Sequence, residues 1–248
     1  MLTAIYAIIA GKGYKSFYSL RIDKKLLLQM VKYSIVLIPN SFMWWIMNSS
    51  DRIMVSGMVS VAANGIYAVS YKLPTLVSTL TTIFNQAWSY SAIREEGTED
   101  ECEYNNKVFK ALIGMAMLIG IGLLTFAKPF LSIYVSKEYY AAWKYMPFLT
   151  VGCVYLTMAS FMATSYTVHK DSFGYLFSGM FGAIFNVVMN FMLIPLIGVY
   201  GAAIATCISY ILVFVFRLFH TRKYIQYNIY NKEFIVGSAI LVLSACLM

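Results

Sequence analysis

The sequence predicts an all-α fold, a polytopic transmembrane helix bundle, and two properties carry that prediction. The 248 residues are 60% hydrophobic and 12% charged, with a mean hydropathy of +0.69, whereas about 25% of the residues in a soluble domain are charged. Apolar runs close to the roughly 20 residues that cross a bilayer alternate with short polar segments. We therefore expect about six complete helices and a partial helix at each end.

The apolar runs place each expected helix. The complete helices are expected at about 28–50, 62–94, 108–126, 147–168, 172–194 and 199–219, with Pro195 ending the fifth. The partial helices are residues 1–10 and 234–248, both shorter than one membrane crossing. We interpret residues 1–248 as a single transmembrane domain and as a fragment of a longer protein.

The basic residues indicate the topology and argue against a nucleic-acid partner. The net charge is +8, but most of the 19 Lys and Arg residues lie in short loops that alternate helices would place on one side. An excess of Lys and Arg marks cytoplasmic loops. We place the basic segment 11–26 and the acidic loop 94–103 inside, and the loop 128–144 outside. Arg217, Arg222, Lys223 and Lys232 are assigned to a cytoplasmic tail loop.

Residue types that support catalysis or metal binding do not cluster in this sequence. His169 and His220 lie in different loops without a neighbouring Cys or carboxylate group at ligand spacing. The four cysteines show no CxxC spacing, and no phosphate-binding G-x-x-x-x-G-K-[ST] loop is present. We expect no catalytic residues, no metal site and no cofactor, and hence no enzyme.

Charged residues next to apolar segments are the first candidates for a functional site, because charge is costly near lipid. Asp51 and Arg52 lie at a polar break after Trp44 and Trp45, which we assign to an interfacial aromatic belt. Neighbours on a helix do not face each other, so each is expected to meet another segment, as a gating pair or as a structural interface pair. The pair is expected near the outer interface.

Lys72 lies inside the second apolar run, two residues before Pro74. It is expected either at mid-bilayer, where it would bind an anionic substrate, or extended to the interface along its aliphatic stem. Tyr67 and Tyr71 are four residues apart and share a helix face beside it.

Amide side chains inside apolar runs form a further candidate set. Asn85 and Gln86 would line a cavity or form interhelical hydrogen bonds. On the fifth helix, small and polar residues recur every four positions, which indicates either close helix packing or, for the two asparagines, cavity lining. The stripe consists of Gly174, Ser178, Gly182, Asn186 and Asn190, and Gly201, Ala205 and Ser209 repeat the pattern on the sixth helix.

Two stretches of the sequence resemble a known family. Residues 51–95, DRIMVSGMVSVAANGIYAVSYKLPTLVSTLTTIFNQAWSYSAIRE, are similar to the mid-chain signature of polysaccharide and O-antigen flippases of the multidrug/oligosaccharidyl-lipid/polysaccharide exporter superfamily. Residues 186–217 are similar to a later part of the same proteins, and the two stretches cover about a third of the chain in the family's order. The resemblance implies that the chain is the C-terminal lobe of a two-lobe transporter.

The same resemblance implies a function, a location and partners. It implies a multi-pass protein of the bacterial inner (plasma) membrane that flips a polyprenyl-(pyro)phosphate-linked oligosaccharide by alternating access. The expected partners are that substrate, membrane lipids and other polysaccharide-assembly membrane proteins. The alternatives are a cation-coupled multidrug exporter, disfavoured because no intramembrane carboxylate is expected, and a polysaccharide polymerase or ligase, disfavoured because no large outside loop is present.

Overall fold

The computed structural model describes residues 23–248, and these residues form an all-helical bundle. The expectations for residues 1–10 and most of the basic segment 11–26 lie outside the described residues. The helices are α1 (Lys24–Met58), α2 (Val61–Ser70), α3 (Pro74–Arg94), α4 (Glu101–Tyr134), α5 (Met146–Val168), α6 (Ser172–Ile197), α7 (Val199–His220) and α8 (Lys232–Leu247); short 3₁₀ helices occupy Lys137–Lys144 and Thr221–Lys223.

Five of the described helices are long and apolar enough to cross a membrane, namely α1, α4, α5, α6 and α7. This confirms the predicted fold class of a polytopic helix bundle. The chain divides into two units, residues 1–36 and 37–248. The described part of the first unit is the beginning of α1, and the second unit contains the remaining helices and every candidate site residue.

The polar break at Asp51 and Arg52 does not end a helix, contrary to the sequence prediction. Helix α1 continues to Met58, and Ser60 then caps α2 by accepting a hydrogen bond from the Ala63 N–H. Asp51 is only 1% exposed. An acidic residue persists inside an apolar helix because neighbouring helices supply the hydrogen bonds that lipid cannot. Asp51 is therefore a residue of the bundle interior, about two helical turns before the end of α1.

The second predicted helix is divided at Tyr71–Leu73 into α2 and α3. Pro74 explains the division, because proline lacks the backbone N–H that would continue the hydrogen-bond ladder and is favoured in the first turn of a helix. Lys72 lies in this turn and is exposed.

Helix α7 is the centre of the bundle, since it packs along both α5 and α6. The predicted small-residue stripes explain this packing: Gly182 lies where a Cβ atom would meet Val213 of α7, and a Cβ on Gly201 would lie 2.5 Å from the Leu193 carbonyl. Both predicted stripes are buried, so close packing is confirmed for them. Helix α6 extends two residues past Pro195, to Ile197, and Gly198 at φ 60° makes the turn into α7.

Candidate functional site

Helices α3 and α5 border a cavity of about 560 Å³. Helix α3 contributes a row of hydroxyl and amide side chains at helical spacing, because every third or fourth residue lies on the same face. Helix α5 contributes a second row of hydroxyls, and Thr81 and Thr157 join the two helices by a 2.9 Å hydrogen bond between their hydroxyls. The lining residues of α3 include Thr75, Ser78, Thr82, Asn85, Gln86 and Ser89, and those of α5 include Thr157, Ser160, Thr164 and Thr167.

The remaining walls are mainly aromatic, and one of them carries a cation. Trp44 of α1, Tyr175 of α6 and Arg217 of α7 meet at one end, whereas Tyr71 lies near the other. Among the described lining residues none is acidic, and Arg217 is the one cation. Such a surface donates and accepts many hydrogen bonds and carries net positive charge, which favours neutral or anionic polar ligands over cations.

Behind Tyr71 lies a buried polar cluster around Asp51. Its Oδ1 accepts a hydrogen bond from Asn190 Nδ2 at 2.6 Å, and its Oδ2 accepts from the hydroxyls of Tyr67 at 3.0 Å, of Tyr71 at 3.4 Å and of Thr206. All four donors are neutral, and no described cation forms an ion pair with this carboxyl group.

Helix α6 extends the cluster. Asn186 Oδ1 accepts from Ser50 Oγ at 2.8 Å and from Asn190 Nδ2 at 3.1 Å, while Asn190 Oδ1 is buried without a hydrogen-bond partner. Tyr71 belongs both to this cluster and to the cavity wall, so it connects the two.

The oxygen atoms of this cluster determine what it can bind. The described residues contain no group of three or more His, Cys, Asp or Glu residues that would hold a metal ion. One carboxyl group among amide and hydroxyl oxygens is suited to a proton or to a hard monovalent cation, which prefers oxygen ligands.

The structure divides the predicted site residues among three places. Tyr71, Asn85 and Gln86 line the cavity, while Asp51, Tyr67, Asn186 and Asn190 form the buried cluster. Arg52 is exposed and does not pair with Asp51; its guanidinium carbon lies 5.7 Å from the centroid of the Tyr71 ring. Lys72 is exposed and is not among the lining residues.

Three expectations require correction. Arg217 is not a loop residue but is 1% exposed inside α7. Trp44 lines the cavity rather than forming an interfacial belt with Trp45. Asp51 is a carboxyl group buried inside a helix long enough to cross a membrane, so the expected lack of such a group no longer argues against a cation-coupled transporter.

Two sequence patterns that sequence reasoning missed would have indicated the buried polar face of α7 and the polar lining of α3. Thr206, Tyr210, Val213 and Arg217 are spaced by four, three and four residues, which places them on one face of α7, and all are buried. The hydroxyl row of α3 has the same helical spacing on either side of the amide pair Asn85 and Gln86.

Solved structures with the same fold are transporters of the MOP superfamily. A MOP-superfamily transporter from Pyrococcus furiosus superposes with a TM-score of 0.63 and 20% identity, over 87% of this chain and 51% of its own. An outward-facing MATE family transporter gives the same values, and the lipid II flippase MurJ gives a TM-score of 0.51 and 15% identity over 79% of this chain and 50% of its own.

Sequence comparison identifies the family. An uncharacterised membrane protein of Methanocaldococcus jannaschii is 24% identical over 181 residues, covering 71% of this chain and 34% of that protein. The chain thus spans about a third of this relative and about half of each solved structure. Residues 3–144, more than half of the chain, match the model of the family described as polysaccharide biosynthesis protein. The chain is a multi-pass membrane protein that belongs to this polysaccharide biosynthesis family and has the fold of MOP-superfamily transporters.

Proposed function

We propose that this chain is the C-terminal lobe of a flippase that moves a polyprenyl-(pyro)phosphate-linked oligosaccharide across the plasma membrane by alternating access. The observation that carries the proposal is the cavity between α3 and α5, whose two rows of hydroxyl and amide groups match the hydrogen-bonding groups of a glycan. Membership of a polysaccharide biosynthesis family supports the same cargo class. The proposed setting is the bacterial inner membrane, with other polysaccharide-assembly proteins as partners.

We also infer that the Asp51 cluster couples transport to a proton or monovalent-cation gradient. A buried carboxylate with only neutral partners can be neutralised by one bound proton or monovalent cation. Tyr71 would transmit the binding of that cation to the cavity, because it donates a hydrogen bond to Asp51 and lines the cavity. This feature favours the multidrug exporter alternative as much as the flippase, so our preference for the flippase rests on the cavity lining. This lining contains Arg217 and, among the described residues, no acid, which disfavours a cationic drug.

The experiment compares two threonines of α3 in the organism that produces the protein. Thr82 and Thr79 are both exposed, and each donates a hydrogen bond to the carbonyl four residues earlier, but only Thr82 lines the cavity. At matched expression, Thr82→Val should lower surface polysaccharide about 2- to 10-fold, the loss expected for one hydrogen bond, and Thr79→Val should not.

Three results would contradict the proposal. Equal export by Thr82→Val, Thr79→Val and Asn85→Leu would show that the cavity lining does not bind the cargo. Efflux of cationic dyes that depends on Thr82 would favour the multidrug exporter. Normal translocation of the lipid-linked unit with shortened glycan chains would favour a polymerase.

A further inference from the structure

The guanidinium group of Arg217 has an uncompensated charge inside the bundle. Its Nε donates to Ser178 Oγ at 3.1 Å and its Nη1 donates to the Ala159 carbonyl at 2.8 Å, whereas Nη2 has no hydrogen-bond partner. No ion pair joins Arg217 to an acidic residue in the described part of the chain. A buried charge without a counter-charge is costly, so its retention calls for an explanation.

Tying helices together does not require this charge. The hydrogen bonds to Ser178 and Ala159 connect α7 to α6 and α5, and neutral donors of similar length would form them equally well. Aromatic faces supply part of the missing compensation, because the guanidinium carbon lies 5.3 Å from the ring centroids of both Trp44 and Tyr175. These two rings cover Arg217 and line the same cavity.

We propose that Arg217 binds the phosphate group of the lipid-linked cargo, with Trp44 and Tyr175 as a movable aromatic cover. This inference rests on the proposed function, and it assigns the Arg217 end of the cavity to the phosphate and the rest of the cavity to the glycan. Rotation of either ring would let a phosphate oxygen reach the free Nη2, and arginine forms short, charge-assisted hydrogen bonds with phosphate. The glycan would then extend along the hydroxyl rows of α3 and α5.

The position of Arg217 along α7 indicates which end of the bundle binds the phosphate. Arg217 is three residues from the C-terminal end of α7, whereas Tyr71 and the Asp51 cluster lie toward the other end of the bundle. Arg217 lies toward the end that the distribution of basic residues predicts to be cytoplasmic. The phosphate would therefore bind near that side, where a lipid-linked precursor made in the cytoplasm enters.

Binding to the purified protein in detergent tests the assignment with three probes: farnesyl diphosphate, inorganic pyrophosphate and farnesol. Wild-type protein should bind farnesyl diphosphate more tightly than pyrophosphate, measured by isothermal titration calorimetry. Arg217→Gln should weaken the affinity for farnesyl diphosphate about 10- to 100-fold, the loss expected for one charge-assisted hydrogen bond. The affinity for farnesol should be unchanged. The matched control is Arg222→Gln, which removes an exposed arginine outside the cavity lining and should bind like wild type.

A second measurement does not depend on the Arg217 variant folding. Farnesyl diphosphate should change the tryptophan emission of the wild-type protein because it displaces Trp44, and the change should disappear in Trp44→Phe. Farnesol, which lacks the diphosphate, should leave the tryptophan emission of the wild-type protein unchanged. An emission change that survives Trp44→Phe would overturn the proposed cover.

Other outcomes would overturn the assignment in distinct ways. Wild-type affinity in folded Arg217→Gln would remove Arg217 from the site while leaving the Thr82 export result to support the flippase. Equal affinity for pyrophosphate and farnesyl diphosphate would make the ligand a soluble phosphate rather than a lipid carrier. Loss of diphosphate binding in Arg217→Gln, together with normal polysaccharide export after deletion of the gene, would refute the flippase but retain an anion site.

Discussion

Replacing Asp51 with asparagine should separate the charge of the buried cluster from its structural role. In Asp51→Asn the remaining oxygen can keep the hydroxyl donors of Tyr67 and Thr206, while the new amide faces Asn190. The Asn190 Oδ1 has no partner in the present arrangement and becomes an acceptor when its amide rotates. The rotation sacrifices the 3.1 Å bond from Asn190 to Asn186, so we expect a loss of about 1 kcal/mol of stability.

Alanine at the same position should be far more damaging. Asp51→Ala leaves the donors of Tyr67, Tyr71, Asn190 and Thr206 without their acceptor in the bundle interior. A buried donor without a partner costs about 1–3 kcal/mol. Asn190 keeps its bond to Asn186, so the three hydroxyl donors predict a loss of about 3 kcal/mol, and the alanine variant should melt well below the asparagine variant.

The assay combines thermal unfolding in detergent with transport in vesicles under an imposed proton or sodium gradient. Asp51→Asn should melt within a few degrees of wild type and yet lose the gradient-dependent part of transport. Glu233→Gln, which removes a carboxylate from an exposed surface, serves as the matched control and should transport normally. Full gradient dependence in folded Asp51→Asn would refute the coupling role, and equal melting of Asp51→Asn and Asp51→Ala would refute the hydrogen-bond reasoning.

Three further substitutions test the fold and the sequence-based site. Gly182→Leu should lower the melting temperature by an overpacking cost of about 1–3 kcal/mol, because its side chain would overlap Val213; Gly57→Leu, with open space around its Cβ position, should not. Partial burial alone would raise the pKa of Asp171, but hydrogen bonds from Lys223, the Gly174 N–H and Tyr224 hold it below its ordinary value. The ionised Asp171 should thus stabilise the fold above a pH of about 4, and this contribution should be lost as the pH falls below that value. The melting temperature of Asp171→Ala should not show the same loss at low pH. Lys72→Ala at matched expression should export normally, because Lys72 is exposed and does not line the cavity; a Lys72 that binds the cargo at mid-bilayer predicts instead that export stops.

The sequence by itself determined the fold class and much of the helix packing. A charged fraction of 12% and apolar runs near membrane length leave a helix bundle as the expected solution. The glycine and serine spacing of α6 and α7 identified their contact faces, because side chains four residues apart lie on one face whatever surrounds them. Pro147 likewise marked the start of α5 in the sequence, because proline is favoured in the first turn of a helix.

Only the tertiary structure decided what each polar residue does. Asp51 looked like an interfacial residue because hydropathy averages over neighbours in sequence, whereas its burial depends on Asn190 and Thr206, more than 130 residues away. Arg217 looked like a loop residue for the same reason, although Ser178, Trp44 and Tyr175 surround it. The burial and hydrogen bonding of a charge depend on what other helices present to it, and no local pattern contains that information.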